Sequence, residues 1–178
     1  MYGIIAYLDK KTEDKIHVVR EGMKEARITE YDMRPHVTIA THLELDLEDF
    51  KEEFNQYFKN EKSISLFFPS LGMFLNSGTL YAAPTKDPEL TDFHTSYHEQ
   101  FKKYVDPTSL YAPKHWVPHC TIASHLSHEK LVQAFDWSAE NMEPFYGRIE
   151  SIALLELDFE AEVCTDVKDI CEVPLKIV

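Results

Sequence analysis

The sequence predicts a single domain of mixed helices and strands, built as two similar lobes related by an approximate twofold axis. Three observations carry this. Residues 35–43 read Pro-His-Val-Thr-Ile-Ala-Thr-His-Leu and residues 118–126 read Pro-His-Cys-Thr-Ile-Ala-Ser-His-Leu, so one phrase occurs twice with seven of nine positions identical. The order strand, helix, motif strand, helix also runs twice. No Gly/Ser-rich linker separates the halves, which places residues 1–178 around one shared core. With 178 residues, 44% of them hydrophobic, the chain has the material for such a core.

Taken in order, residues 2–8 read as a strand, and 12–27 as an amphipathic helix with Ile16, Val19, Met23 and Ala26 on one face. The first motif strand follows. Leu47, Phe50, Phe54, Tyr57 and Phe58 recur at helical spacing, and 63–68 alternates like a strand. A hairpin is expected at Asn76-Ser77-Gly78, between 73–75 and 80–82. The cycle then restarts, with 80–83 as strand and 88–104 as a helix carrying Leu90, Phe93, Tyr97, Phe101 and Tyr104. After the second motif strand come a helix near 129–137, a β-like run at 149–157, and a segment at 173–178 expected to pair near it.

Within each motif, strand alternation puts His36, Thr38 and Ala40 on one face and Val37 and Ile39 on the other. The same parity groups His119, Thr121 and Ala123 against Cys120 and Ile122. Each half therefore offers an imidazole and a hydroxyl side by side. Histidine titrates near ~6.5, so one ring of a pair serves as base while the other serves as acid near neutral pH. Phosphodiester cleavage needs those two proton movements, and a threonine hydroxyl on the same face donates to a non-bridging phosphate oxygen.

The paired His-x-Thr motifs, with Arg34 before the first and Trp116-Val117-Pro118 before the second, resemble those of the 2H phosphoesterases, in the bacterial branch called 2′-5′ RNA ligase-like proteins. The resemblance extends to Phe68-Pro69, the 80–83 strand and the 145–156 segment. It implies a bilobal α+β fold of two mainly antiparallel sheets, with helices packed outside a central cleft. It also implies metal-independent catalysis in which His36 and His119 exchange acid and base roles while Thr38 and Thr121 hold the phosphate. The implied substrates are 2′,3′-cyclic phosphates and 2′-5′-linked nucleotides or RNA ends.

Composition narrows the partners. Eighteen basic and 31 acidic residues give a net charge of −13, a field that repels long polyanions, so a small nucleotide or short RNA end is expected and a long duplex is not. The cleft mouth should be less acidic than the rest of the surface. No cofactor is called for. Three cysteines without metal-ligand spacing suggest neither a disulfide framework nor a zinc site, and the first apolar stretch is too short for a signal or a membrane span. A cytoplasmic protein is the expectation.

Other residues carry competing readings. Arg34 and Lys114 are candidate phosphate contacts, and Tyr81 and Trp116 candidate base-stacking rings, against ordinary surface charge and core packing. His42 and His125 repeat but sit at strand ends, where packing is expected. His94 and His98 share a helix face at i and i+4, which suits two metal ligands, yet no third ligand is evident and a partly exposed helix edge is the plainer reading. His115 shares the strand parity of His119 only if the strand runs through Pro118. Two alternatives stand beside the phosphodiesterase: a non-catalytic module that binds a nucleotide or RNA end, and a histidine-metal hydrolase using His94 and His98.

Overall fold

The computed structural model describes residues 1–104, 106, 108–160 and 163–177. The first half runs β1 (Tyr2–Leu8), α1 (Lys10–Glu25), β2 (His36–His42), α2 (Leu47–Phe58), β3 (Ile64–Phe68) and β4 (Ser70–Phe74). The second half continues with β5 (Thr79–Ala83), α3 (Pro88–Gln100), a 3-10 turn at Lys102–Tyr104, β6 (Cys120–Ala123), α4 (His128–Asn141), β7 (Phe145–Glu160) and β8 (Val163–Pro174). Asp9, Asp46, Asp87 and Ser127 each accept the N–H three residues on, fixing where the four helices start. The cap at Asp9 starts α1 earlier than the expected 12–27, and the left-handed backbone of Arg27 at φ 58° follows its end. Similarly, α3 stops at Gln100 and the expected remainder to Tyr104 tightens into the 3-10 turn.

The architecture is α+β, with two sheets whose named strand pairs are all antiparallel. The larger sheet has the order β2-β1-β7-β3, with β8 also on β7, and the smaller has the order β4-β5-β6. Residues 145–149 of β7 pair with β3 and 151–160 with β8, so the two share one edge of β7 while β1 takes the other. The first and second halves of the chain thus interleave in one sheet. The β-like run at 149–157 proves to be the middle of β7. Of the expected 173–178 segment, 173–174 ends β8, and Val178 lies outside the described residues.

Helices α2 and α3 meet over an aromatic layer. Phe50, Phe54, Phe58, Tyr97 and Phe101 are fully buried, with ring centroids 5.1 Å apart for Phe50–Phe101 and 4.8 Å for Tyr97–Phe101. Each such burial is worth roughly 1.5–3 kcal/mol. Strand β1 is buried on both faces, with Ile4, Ala6 and Leu8 in the main core and Ile5 and Tyr7 in a smaller cluster with Ala153, Leu155 and Leu157. No helix among the described residues is long and apolar enough to cross a membrane.

The motif strands are edge strands of different sheets, and β2 lies against β6. Each carries a β-bulge at the same place. Ile5 pairs with Thr38 and Ile4 with Ala40, leaving Ile39 extra, while Tyr81 pairs with Thr121 and Leu80 with Ala123, leaving Ile122 extra. This corrects the simple alternation expected from sequence. After each threonine the parity breaks, so Ala40 and Ala123 join the buried core with Ile39 and Ile122 instead of sharing a face with the histidines.

The expected hairpin at 76–78 joins β4 to β5, with Gly78 at φ 58°. The tail of the second motif packs on it, because the Leu126 amide donates to the Gly78 carbonyl at 3.0 Å and a Cβ on Gly78 would fall 2.1 Å from the Leu126 carbonyl oxygen. Gly78→Ala is therefore expected to destabilise the fold by about 1–3 kcal/mol in urea titration.

Candidate active site

The two motif histidines are anchored alike. His36 Nδ1 lies 2.7 Å from the Arg34 carbonyl oxygen, and His119 Nδ1 lies 2.8 Å from that of Val117, in both cases two residues upstream. A carbonyl only accepts, so Nδ1 holds the proton of the neutral ring and Nε2 keeps its lone pair. Burial pushes His36 down to about 4, against the hydrogen bond to Arg34, with the neighbouring His119, Arg20 and Arg34 adding to the effect. Burial lowers His119 as well. The strands that carry or adjoin the two rings, β2 and β6, lie against each other.

A tyrosine from the loop before each motif approaches the threonine of the other. The Tyr31 phenol, in the loop before the first motif, stands beside the hydroxyl of Thr121 in the second; the Tyr111 phenol, before the second motif, stands beside that of Thr38 in the first. Burial pushes Tyr31 up to about 12, and Tyr111 in the same direction, so both phenols stay protonated donors near neutral pH.

Thr121, His119, Tyr31 and Tyr111 line a cavity of about 700 Å³ with Phe74 and Ser124 among its other walls. His36 and Thr38 are not among the lining residues; Thr38 is reached through Tyr111, and His36 lies across the meeting of β2 and β6. Among the described residues no Asp, Glu, Lys or Arg lines this cavity.

Backbone carbonyls of the two motif strands are taken up by buried side chains. The Trp116 indole N–H donates to the Thr38 carbonyl at 2.9 Å, and Arg20 Nη2 donates to the Thr121 carbonyl at 2.6 Å. His94 Nε2 and His98 Nε2 donate to the bulged Ile39 carbonyl at 3.1 and 3.2 Å. Trp116 is 2% exposed and stacks on His94 at 3.7 Å, so the expectation that it stacks a base is corrected: its ring is closed to ligands and ties the loop to the first motif. The partly exposed edge expected at His94 and His98 is likewise corrected, because they are 1% and 7% exposed. Their Nε2 atoms carry protons, not free lone pairs, and among the described residues no group of three His, Cys, Asp or Glu side chains is placed to hold a metal ion.

The remaining candidates are placed as follows. Arg34 stacks on Tyr7 at 3.7 Å and shares its charge with Glu13 at 2.8 Å and Glu172 at 3.4 Å. Lys114 is exposed and outside the cavity lining, whereas exposed His115 is within it, in a turn and not on a strand. Tyr81 packs on Phe74 and on the His119 ring, at 4.5 and 5.3 Å between centroids. His42 is buried between the Tyr104 carbonyl and the Tyr97 hydroxyl, as expected of packing, while His125 is exposed with φ 57°.

Sequence reasoning missed Arg20, Tyr31, Tyr111 and Phe74. Arg20 left a signal, since it lies four residues after Ile16 on the apolar stripe of α1, where a charge is out of place. The tyrosines left none, because loops carry no periodicity.

A family model of the 2′-5′ RNA ligase superfamily matches residues 12–159. The chain belongs to that superfamily. No curated protein matches it. Among solved structures, E. coli LigT in its apo form shares 14% identity over 98% of this chain and 96% of that one, with a TM-score of 0.67. LigT complexed with 3′-AMP matches with the same identity and TM-score over 98% and 97%. The protein TT0787 of Thermus thermophilus matches at 12% identity and TM-score 0.67, over 98% and 97%. At such identities the likeness is one of fold, and this superfamily member has the 2H phosphoesterase architecture of LigT.

Burial lowers His94 to about 3 and His98 in the same direction, whereas an unfolded histidine sits near 6.5. Between those values the unfolded chain binds more protons, so the contribution of the neutral buried rings is complete above about 6.5 and is lost as pH falls toward 3. Urea titration is expected to find stability dropping by roughly 2–3 kcal/mol between pH 7 and pH 4. His94→Gln, which keeps a donor for the Ile39 carbonyl, should flatten that acid-side loss.

Proposed function

We propose that this chain is a metal-independent phosphodiesterase, acting on a 2′,3′-cyclic phosphate or a 2′-5′-linked nucleotide or RNA end, with His36 and His119 as the acid–base pair. The observation that carries the reading is the matched anchoring of the two rings, each with Nδ1 committed to a backbone carbonyl and Nε2 left free. In hydrolysis of a cyclic phosphate, one Nε2 takes a proton from water as its oxygen bonds to phosphorus. The other Nε2–H gives its proton to the ribose oxygen as the P–O bond breaks. Thr38 and Thr121 donate to the non-bridging oxygens. Both proton transfers come from side chains, so the reaction is expected to proceed without a metal.

Several features support a small substrate. The solved LigT structures include complexes with 3′-AMP, NADP+, ATP and phosphate, which favours a nucleotide for this chain too. A cavity with neither Lys nor Arg among its described walls offers little to a long nucleic acid backbone, and net charge −13 disfavours it further. Three free cysteines fit a cytoplasmic setting.

His36→Ala and His119→Ala are each expected to lower kcat/KM by roughly 10²–10⁴ on a 2′,3′-cyclic nucleotide, with the fold intact by circular dichroism. Thr38→Ala or Thr121→Ala should cost about 1.5–3 kcal/mol of transition-state binding. The pH profile should be bell-shaped and insensitive to EDTA, and the double histidine variant little worse than either single one. Near-wild-type turnover in either histidine variant would refute the mechanism, and binding without any turnover would make the chain a recognition module.

A further inference from the structure

The cavity that carries His119 and Thr121 is lined by two unlike sets of side chains. One set is half-buried and suits a phosphate: the His119 ring, the Thr121 hydroxyl and the phenols of Tyr31 and Tyr111. The other is apolar and faces solvent. Met73, Leu75, Leu110 and Val117 line the same cavity and are 39%, 91%, 77% and 44% exposed. Twelve large apolar side chains are exposed among the described residues, so four of the twelve gather at this one cavity. Apolar side chains scattered singly over a surface need no explanation, but a group of them at the rim of a polar site marks a place that a ligand covers.

Two segments build the rim. Met73 and Leu75 come from the end of β4 and the hairpin after it, and Leu110 and Val117 from the loop before the second motif. Phe74, between the first two, meets the His119 ring at 4.8 Å and 88°, so the rim is continuous with the reactive ring. A volume of about 700 Å³ is that of a small-molecule site. A phosphate engaged by His119 and Thr121 brings whatever is bonded to it against these side chains. That group has to be mostly apolar and uncharged. Among the described residues no Lys or Arg lines the cavity, His115 is the one lining side chain besides His119 able to take a positive charge, and the whole chain carries −13. A nucleoside fits, because its base has apolar faces and a neutral polar edge for Asn76, Ser77 and Ser124, which also line the cavity. A second phosphate does not fit, because it would lose water against leucines with no cation to pair with.

We propose that Met73, Leu75, Leu110 and Val117 form a nucleoside subsite that selects substrates bearing a single phosphate, so that this chain takes a mononucleoside cyclic phosphate in preference to one with a 5′-phosphate or to an RNA end that continues in further phosphates. The proposal rests on the phosphodiesterase reading above and narrows its substrate class. Leu75 and Leu110, the two most exposed of the four, act as specificity-determining residues. They cover the base, and their lack of charge withholds the partner that a second phosphate needs.

The test is titration calorimetry of the intact protein at pH 8, above the ordinary histidine range, with inorganic phosphate, 3′-AMP and adenosine 3′,5′-bisphosphate as probes. The last two differ only by a 5′-phosphate. 3′-AMP is expected to bind roughly tenfold or more tightly than phosphate, and the bisphosphate more weakly than 3′-AMP. Leu75→Ser and Leu110→Ser should each weaken 3′-AMP by roughly threefold or more without weakening phosphate. Leu110→Lys, which supplies a cation, should narrow or reverse the gap between 3′-AMP and the bisphosphate. Both leucines face solvent, so these variants are expected to fold. The proposal is overturned if 3′-AMP binds no tighter than phosphate, if the bisphosphate binds as tightly as 3′-AMP, or if Leu110→Lys leaves their gap unchanged. It is also overturned if both serine variants hold 3′-AMP like the wild type, which would give the rim to another occupant such as a second copy of this chain. Binding needs no turnover, so its failure is separable from loss of the acid–base mechanism, which the activities of the histidine variants report.

Discussion

Everything in this fold hangs on a seam where two edge strands meet without sharing a ladder. The sheets end at β2 and β6, and those strands lie against each other, so backbone carbonyls at the join must find donors elsewhere or cost about 1–3 kcal/mol each when buried. They find them in side chains: Trp116 for Thr38, Arg20 for Thr121, and His94 with His98 for Ile39. These donors come from three separate parts of the chain. Helices α1 and α3 and the loop before the second motif are thereby fastened to the seam, at the place where the two motif strands meet.

The paired bulges explain why the polar face is so short. A strand that kept its alternation would offer His, Thr and Ala to the cleft and would bury only every second side chain. By inserting Ile39 and Ile122, each strand turns its next residues inward, so Ile39-Ala40 and Ile122-Ala123 pack in the core next to the His-x-Thr residues. The carbonyl of the bulged Ile39 is one of those that anchor the seam. Local irregularity, core packing and site geometry are here a single device.

Around this common device the lobes have diverged. The smaller sheet brings a hairpin whose Gly72 has no side chain where the Tyr81 ring lies, since a Cβ there would sit 2.4 Å from it. That close approach lets Tyr81 and Phe74 clasp the His119 ring. The first lobe instead lays the Arg34 guanidinium on Tyr7, the register partner of His36. Two rings anchored alike are therefore set among different neighbours.

Much of this was legible in the sequence. The repeated phrase gave the histidines and threonines, because a nine-residue match is local and needs no knowledge of distance. Periodicity gave α2, α3 and the 76–78 hairpin, because packing one face leaves a spacing that can be counted. Strand β8 left little trace, since most of its residues are exposed and it pairs on β7 without an apolar stripe of its own. The bulges were invisible because register is a property of two strands, and the parity of Ala40 and Ala123 was misread for that reason. The burial of His94, His98 and Trp116 and the reach of Arg20, Tyr31 and Tyr111 were likewise decided by tertiary structure alone. Sequence by itself determined which groups could move protons; only the meeting of β2 with β6 determined which carbonyls needed donors, and so why Arg20, Trp116, His94 and His98 are buried at the seam.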